Sequence, residues 1–203
     1  MELSRKESPR YNVKEHKMHL RADMREKRNQ LTPEEKKQMD EAICRRIIAL
    51  AGFRYADHIL TYSPLKDEVD ISMVNEAALK SGKTLAFPRC IPETSKMDFY
   101  EVDSMEQLES GSFSIMEPRS DCKLWLPDGK KSVFCIIPAM AYDKDGYRLG
   151  YGKGFYDRYL AGRDFVKVGV AYSRFFVDYK LPRGRFDLAV SAVVTEKGCH
   201  FVK

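Results

Sequence analysis

The sequence is poor in most features that would mark an exported, membrane-bound or nucleic-acid-coating protein. Its cysteines, Cys44, Cys90, Cys122, Cys135 and Cys199, are odd in number, scattered, and include no C-x-x-C pair. A disulfide framework is therefore not expected, and free thiols in a reducing compartment are. No apolar run approaches the roughly 20 residues that a membrane-spanning helix needs. The opening MELSRKESPRYNVKEHK has no apolar core of the kind that directs export, so a soluble, cytoplasmic protein without membrane partners is the expectation. A strong excess of one charge is also missing: 35 basic residues against 30 acidic give a formal net charge of +5. That is too mild for a nucleic-acid footprint, and a small anionic substrate accounts for it as well. Internal repeats and low-complexity tracts are absent, and 203 residues suit one domain.

Helical and strand patterns alternate along the chain. Residues 1–10 are polar, contain Pro9 and read as a disordered tail, leaving 11–203 as a single domain. Lys14–Arg28 reads as a helix, and at about 100° per residue Lys17, Arg21 and Arg28 share one face as a basic ridge. By pattern alone that ridge is a solvated face. Thr32-Pro33-Glu34-Glu35 has the form of a capping box at a helix start, Ile43, Arg46, Ile47 and Leu50 follow at helical spacing, and Gly52 is expected to close the helix. His58–Tyr62 reads as a strand, residues 71–80 as a helix stopping at Gly82, and Thr84–Phe87 and Met97–Val102 as strands. Ser104–Leu108 suggests one helical turn, and Gly111–Pro118 an extended segment or loop. Val133–Ile137, Val166–Tyr172 and Leu188–Val194 are the remaining strands. Such alternation predicts an α/β protein with a largely parallel sheet covered on both faces, a three-layer α/β/α arrangement.

Tyr142–Leu160, YDKDGYRLGYGKGFYDRYL, is the most informative segment. Gly146, Gly150, Gly152 and Gly154 permit positive φ and close backbone approach, so successive N–H groups can face one anion, with Arg148 and Lys153 adding charge. A buried strand precedes it, and Phe155, Tyr156, Tyr159 and Leu160 give one side of a following helix. The glycines thus fall at a strand-to-helix crossing, where α/β folds bind phosphate. Neither a Walker A loop nor a dinucleotide fingerprint is matched, because Gly152-Lys153 is followed by Gly154 and the glycine spacing differs.

RLGYGKGFYDRYL, preceded by IIPAMAYDKDG, closely resembles the signature of the 5-formyltetrahydrofolate cyclo-ligases, also called methenyltetrahydrofolate synthetases. Three further features of that family occur in order: Lys17-Met-His-Leu-Arg21, Asp67-Glu68-Val69-Asp70 and Phe87-Pro88-Arg89. The resemblance implies a fold similar to that of the sugar-phosphate isomerase and CoA-transferase group. It also implies an ATP- and Mg²⁺-dependent closure of 5-formyltetrahydrofolate, with or without a polyglutamate tail, to 5,10-methenyltetrahydrofolate. A monomer is expected.

Residue by residue, the resemblance implies an ATP site of Lys17, Arg21, Arg148, Leu149, Gly150, Tyr151, Gly152, Lys153, Gly154, Phe155 and Tyr156, with Arg148 and Lys153 acting on the transferred phosphoryl group. It implies folate contacts at Ser63, Glu68, Tyr151, Gly152, Lys153, Gly154 and Phe155, Ser63 being matched by spacing alone, and Mg²⁺ ligands at Asp157 and Asp187. Tyr156 is a further candidate to flank the pterin, and Phe113 and Glu117-Pro118 to line the same cleft. Asp143 is a candidate for orienting metal or substrate, with helix capping as its structural alternative. Phe186 and Ser191 depart from residues common in relatives. His16 and His19, three apart on a helix, lack a neighbouring carboxylate or thiol and read as solvated. His58 and His200 have no identifiable partner in the sequence.

Two other functions compete. A basic, nucleotide-responsive RNA-binding module is suggested by net charge and by Tyr/Arg interleaving over residues 147–159, but those aromatics adjoin glycines instead of alternating on a strand. A coenzyme A or sugar-phosphate enzyme rests on fold analogy alone.

Overall fold

The computed structural model describes residues 12–91, 93–94, 96–111 and 115–203; the expected tail and Phe113 lie outside them. Two helices come first, α1 (Val13–Arg28) and α2 (Pro33–Ala49). Asn12 caps α1 by accepting from the Lys14 and Glu15 N–H groups. The capping box forms at α2, with Glu35 N–H on Thr32 Oγ1 (3.2 Å) and Thr32 N–H on Glu35 Oε2 (3.0 Å). Gly52 does not close that helix. The break is at Leu50, whose backbone is extended, and Gly52 lies inside a short α3 (Ala51–Tyr55), where it admits the Phe134 ring that a Cβ would meet at 3.1 Å.

Next come β1 (His58–Leu60), α4 (Ser72–Lys80), β2 (Thr84–Ile91), β3 (Lys96–Glu101), β4 (Leu108–Ser110) and β5 (Met116–Pro118). A 3₁₀ turn, Met105–Gln107, takes the place of the expected helical turn. The rest is β6 (Val133–Pro138), β7 (Ala141–Asp143), β8 (Arg148–Leu149), α5 (Phe155–Leu160), β9 (Val166–Val170), β10 (Phe176–Val177), β11 (Ala192–Thr195) and β12 (Gly198–Phe201).

The main sheet has seven strands in the order β12-β11-β9-β6-β1-β2-β3. Its inner pairs, β11–β9, β9–β6, β6–β1 and β1–β2, are parallel, and the edge strands β12 and β3 run antiparallel to their neighbours. β6 lies mid-sheet and is buried from Val133 to Ile137, which explains its uninterrupted apolar sequence. One face of the sheet packs Ile59, Phe134, Ile136 and Val168 against Met24, Ile43, Ile47, Val74 and Ala78 of α1, α2 and α4. The other face is covered more thinly. Cys135, Ile137 and Phe99 meet Tyr159 and Leu160 of α5 and the indole of Trp125.

Two strand boundaries differ most from expectation. β2 continues through Pro88 to Ile91, because beyond Ala86 it pairs with β3 alone and a proline is tolerated where one edge has no ladder partner. The last inner strand begins at Ala192, since Val190 N–H goes to Gly146 O (3.0 Å) and Ser191 N–H to Lys167 O (2.8 Å). Its antiparallel partner β12 was not anticipated, and neither were the β4–β5 hairpin and the small sheet β10-β7-β8.

Candidate active site

The parallel strands bring their carboxyl ends to one edge of the sheet, the position at which α/β folds place ligands. β1 runs out into the segment carrying Ser63 and Glu68, β6 into the β7–β8 hairpin and glycine segment, and β9 into Tyr172. The chain from Asp67 to Asp70 is pinned from below by buried groups. Tyr62 Oη donates to Val69 O (2.7 Å), Tyr172 Oη donates to Asp40 Oδ1 (2.8 Å) and lies 3.2 Å from Glu68 O, and Asp70 N–H donates to Asp40 Oδ1 (3.1 Å). These anchors come from α2 and from β-strand ends, and no local motif announced them.

Glu68 is only 5% exposed. Burial pushes its carboxyl up to about 7, with the neighbouring Asp67 charge acting the same way, while the Leu65 N–H (2.9 Å to Oε2) and Arg28 pull in the other direction. The hydroxyls of Ser63 and Tyr156 are buried without a hydrogen-bond partner. Polar atoms in that condition are costly unless something satisfies them. Tyr151 Oη faces the Asp67 carboxylate (3.4 Å) and Arg28 Nη1 (3.5 Å), bringing the glycine segment onto the Glu68 loop.

The glycine segment is a loop between β8 and α5, as the sequence predicts. Gly152 has φ of +103° and Gly154 of +69°; a Cβ on Gly152 would lie 3.2 Å from Arg21 Cζ, so the bare backbone is what admits the guanidinium. Gly146 also has positive φ, but Gly150 does not; its carbonyl is used instead, accepting from Arg21 Nε at 2.8 Å. Lys153 stands exposed on the loop. The predicted ridge on α1 thus turns inward. Lys17 Nζ pairs with the Asp187 carboxylate, and Arg21 is partly buried against the loop, which lowers its pKa through desolvation while Asp187 opposes the shift.

Arg148 and Asp157 become each other's partner. Arg148 is 8% exposed, pairs with Asp157 Oδ1 (2.8 Å) and donates to Leu188 O (3.2 Å), while Leu188 N–H returns to Asp157 Oδ1 (3.1 Å). That exchange sets Asp157 beside the Asp187 turn, where Gly184 N–H donates to Asp187 Oδ2 at 2.8 Å. Leu149 is buried beneath the loop, and Phe155 and Tyr156 are half-buried against the thin face of the sheet.

Several expectations need correction. Asp143 neither caps a helix nor faces an open site: its Oδ1 accepts the Asp145 and Tyr147 N–H groups (both 3.0 Å), and its Oδ2 accepts Leu181 N–H and Arg183 Nη2 (both 3.0 Å), knotting the β7–β8 hairpin to the chain before Asp187. His58 Nδ1 accepts from Trp125 Nε1 (3.1 Å), and His200 Nε2 lies 2.9 Å from Lys144 O, so both have partners. Glu117 is buried and its Oε1 accepts from Cys90 N–H (3.1 Å). His16 and His19 are exposed on α1, and among the described residues no group of three or more His, Cys, Asp or Glu could hold a metal by itself.

Residues 13–196 match the family model described as the 5-formyltetrahydrofolate cyclo-ligase family. The chain belongs to this family. The Escherichia coli K12 5-formyltetrahydrofolate cyclo-ligase is 30% identical over 176 residues, covering 85% of this chain and 96% of that protein. The solved structure of Aquifex aeolicus 5,10-methenyltetrahydrofolate synthetase superposes with a TM-score of 0.80 at 35% identity, over 92% of this chain and 93% of its own. The Mycoplasma pneumoniae 5,10-methenyltetrahydrofolate synthetase gives 0.70 at 26% identity, over 89% of this chain and 98% of its own. The RNA-binding alternative finds no support in these cyclo-ligase relatives, and Phe155 and Tyr156 are packed against the sheet instead of forming an open stacking platform. Among the described residues no helix is long and apolar enough to cross a membrane.

Proposed function

We propose that this chain closes 5-formyltetrahydrofolate to 5,10-methenyltetrahydrofolate at the expense of ATP, releasing ADP and phosphate. The observation that carries the reading is a convergence. Arg21, on the Lys17/Arg21 face of α1, holds the glycine loop; Tyr151 of that loop reaches Asp67 beside the buried acid Glu68; and the hydroxyls of Ser63 and Tyr156 are buried without a partner. One side suits a polyphosphate, and the other a flat ring with several hydrogen-bonding edges.

The chemical obstacle is the formyl amide oxygen, which cannot leave as oxide. That oxygen attacks the γ-phosphorus and the bond to the β-phosphate oxygen breaks, releasing ADP. N10 then attacks the formyl carbon and releases its proton to the departing phosphate or to water, the carbon–oxygen bond breaks, and the oxygen departs within phosphate. No protein nucleophile is needed, so the protein contributes positioning and charge. Lys153, with the Gly150–Gly154 backbone, faces the transferring phosphoryl group; Lys17 and Arg21 hold the phosphates from α1. Arg148 supplies positive charge beneath the loop and orients Asp157. Glu68 accepts from the pterin N–H groups, and Ser63 and Tyr156 gain the partners they lack.

Asp157 and Asp187 suit Mg²⁺ by donor chemistry, being hard carboxylates on adjoining segments, each with one oxygen engaged by protein cations and N–H groups. Two carboxylates do not complete a shell, which fits an ion that shares phosphate oxygens; when bound, it would draw charge from the β- and γ-phosphates. The substrate is accepted with or without a polyglutamate tail, by a cytoplasmic monomer.

The test is spectroscopic. Full-length protein with 5-formyltetrahydrofolate, ATP and Mg²⁺ generates the methenyl chromophore, and omission of any one component abolishes it. A flat trace from folded protein with fresh substrate contradicts the assignment.

A further inference from the structure

Arg28 belongs to the basic ridge of α1 but reaches neither Lys153 nor the Asp157/Asp187 segments in any contact described above. It is 4% exposed, and with Met24 it is one of the two residues that α1 buries fully among those described. Its Nη1 donates to Asp67 O (2.6 Å), and its Nη2 to Ala139 O (2.6 Å) and Met140 O (3.2 Å). The Asp67 carboxylate and Tyr151 Oη each lie 3.5 Å from Nη1, and the guanidinium sits over the Phe175 ring, 5.1 Å from its centroid. One planar cation therefore ties α1 to the residue before Glu68, to the turn after β6 and to the glycine loop.

We propose that Arg28 is a positioning residue that couples the two substrate sites, so that nucleotide held by Lys17 and Arg21 sets the Asp67–Glu68 loop for folate and each substrate tightens the binding of the other. The proposal rests on the cyclo-ligase reading above. Met24 is the one apolar side chain that α1 buries fully among the described residues, with Leu20 packed at the edge of the core, so the polar contacts of Lys17, Arg21 and Arg28 add to its seat. A ligand that engages the first two fixes the third, and Arg28 passes that to Asp67 through both its backbone carbonyl and its carboxylate. The effect must be reciprocal, because the coupling is a single free energy shared by both ligands. Lysine could replace the charge but not the fork that reaches three carbonyls at once.

Calorimetric titration of the full chain tests this. The Kd of 5-formyltetrahydrofolate is measured with and without saturating Mg²⁺ and a β,γ-imido analogue of ATP, and the converse pair is measured for the nucleotide. The unmodified protein gives a ratio of about five or more in both directions, the lower end of ordinary coupling. Arg28→Lys brings both ratios below about two, whatever it does to either single affinity or to melting temperature; loss of packing alone would leave the ratio intact. Asp67→Asn, at a half-exposed carboxylate, lowers the ratio in a protein expected to fold, and decides the matter if Arg28→Lys does not fold. A ratio near one in an unmodified protein that turns over substrate, or an unchanged ratio in a folded Arg28→Lys or in Asp67→Asn, overturns the coupling while leaving the cyclo-ligase reading intact. Absence of both binding and turnover overturns the two together.

Discussion

At Glu68, burial and hydrogen bonding act in opposite directions, and burial dominates. With its folded-state value raised from 4.5 to about 7, the side chain binds more protons in the folded chain than in the unfolded one between those limits. Its contribution to stability is therefore greatest below the unfolded value and is lost as pH rises through about 7. Binding of folate has the opposite dependence, since the proposed acceptor is the carboxylate. The KM for 5-formyltetrahydrofolate should fall as pH rises from 6 to 8, with an inflection near the value given for Glu68. Glu68→Gln should remove the inflection and weaken folate, but not ATP, binding; an identical pH profile in the variant would place the titration elsewhere. Lys153 is exposed and lies outside the core, so Lys153→Ala should leave the melting temperature unchanged while lowering kcat by about 10²–10³, the cost of removing one charge-assisted contact made in the transition state. Turnover within a factor of two of normal would remove Lys153 from the chemistry. Glu68, Lys153, Lys17 and Arg21 stand out in the sequence as candidates because they fall in segments that resemble a known signature. Arg28 was visible only as part of a ridge, and Tyr172 and Asp40 not at all, because their roles arise from contacts 104 and 30 residues distant, to Glu68 O and the Asp70 N–H.

Elements were legible where local chemistry is decisive. Thr32 with Glu35 gave the start of α2, the buried run from Val133 gave β6, and the glycines of the loop gave the crossing into α5. They were not where tertiary pairing decides: β12 exists because β11 offers it an edge, β2 passes through Pro88 because only β3 pairs with it there, and Gly52 sits within a helix because Phe134 needs the space. The glycine loop and α1 are in contact through Arg21, and Gly152→Ala tests that contact. A Cβ there is strained at φ of +103° and meets Arg21 at 3.2 Å; strain of this kind costs on the order of 1–3 kcal/mol. The variant should lose much of the thermal stabilisation conferred by Mg·ATP while retaining folate affinity, and an unchanged nucleotide-induced shift would mean that α1 and the loop are not joined at the phosphates. Arg21→Ala should lose that stabilisation too, without backbone strain.

For the molecule as a whole, the parallel inner strands and their helical cover on one face followed from the alternation of patterns. The thinness of the other layer did not, because Trp125 and the chain around it carry no periodicity. The sheet divides the core into two clusters, one on each face, and Ile136, fully buried in the central strand, should cost ~2–5 kcal/mol when truncated to alanine, read from urea unfolding. A cost below 1 kcal/mol would mean that β6 is not the sheet's centre. The five thiols are dispersed, and burial pushes Cys44 and Cys135 up to about 12 and Cys90 up to about 11, which disfavours the thiolate at these three. What the architecture does provide is one edge at which the glycine loop and a buried, acid-bearing loop meet, joined by Tyr151 and Asp67. The central claim is that a phosphoryl group passes across that edge to the formyl oxygen. It is tested most directly by preparing 5-formyltetrahydrofolate with ¹⁸O in the formyl group and following the label through a single turnover with unlabelled ATP. The account predicts that the ¹⁸O appears in inorganic phosphate, one atom per methenyl product formed. Label released to water, with unlabelled phosphate, would contradict it.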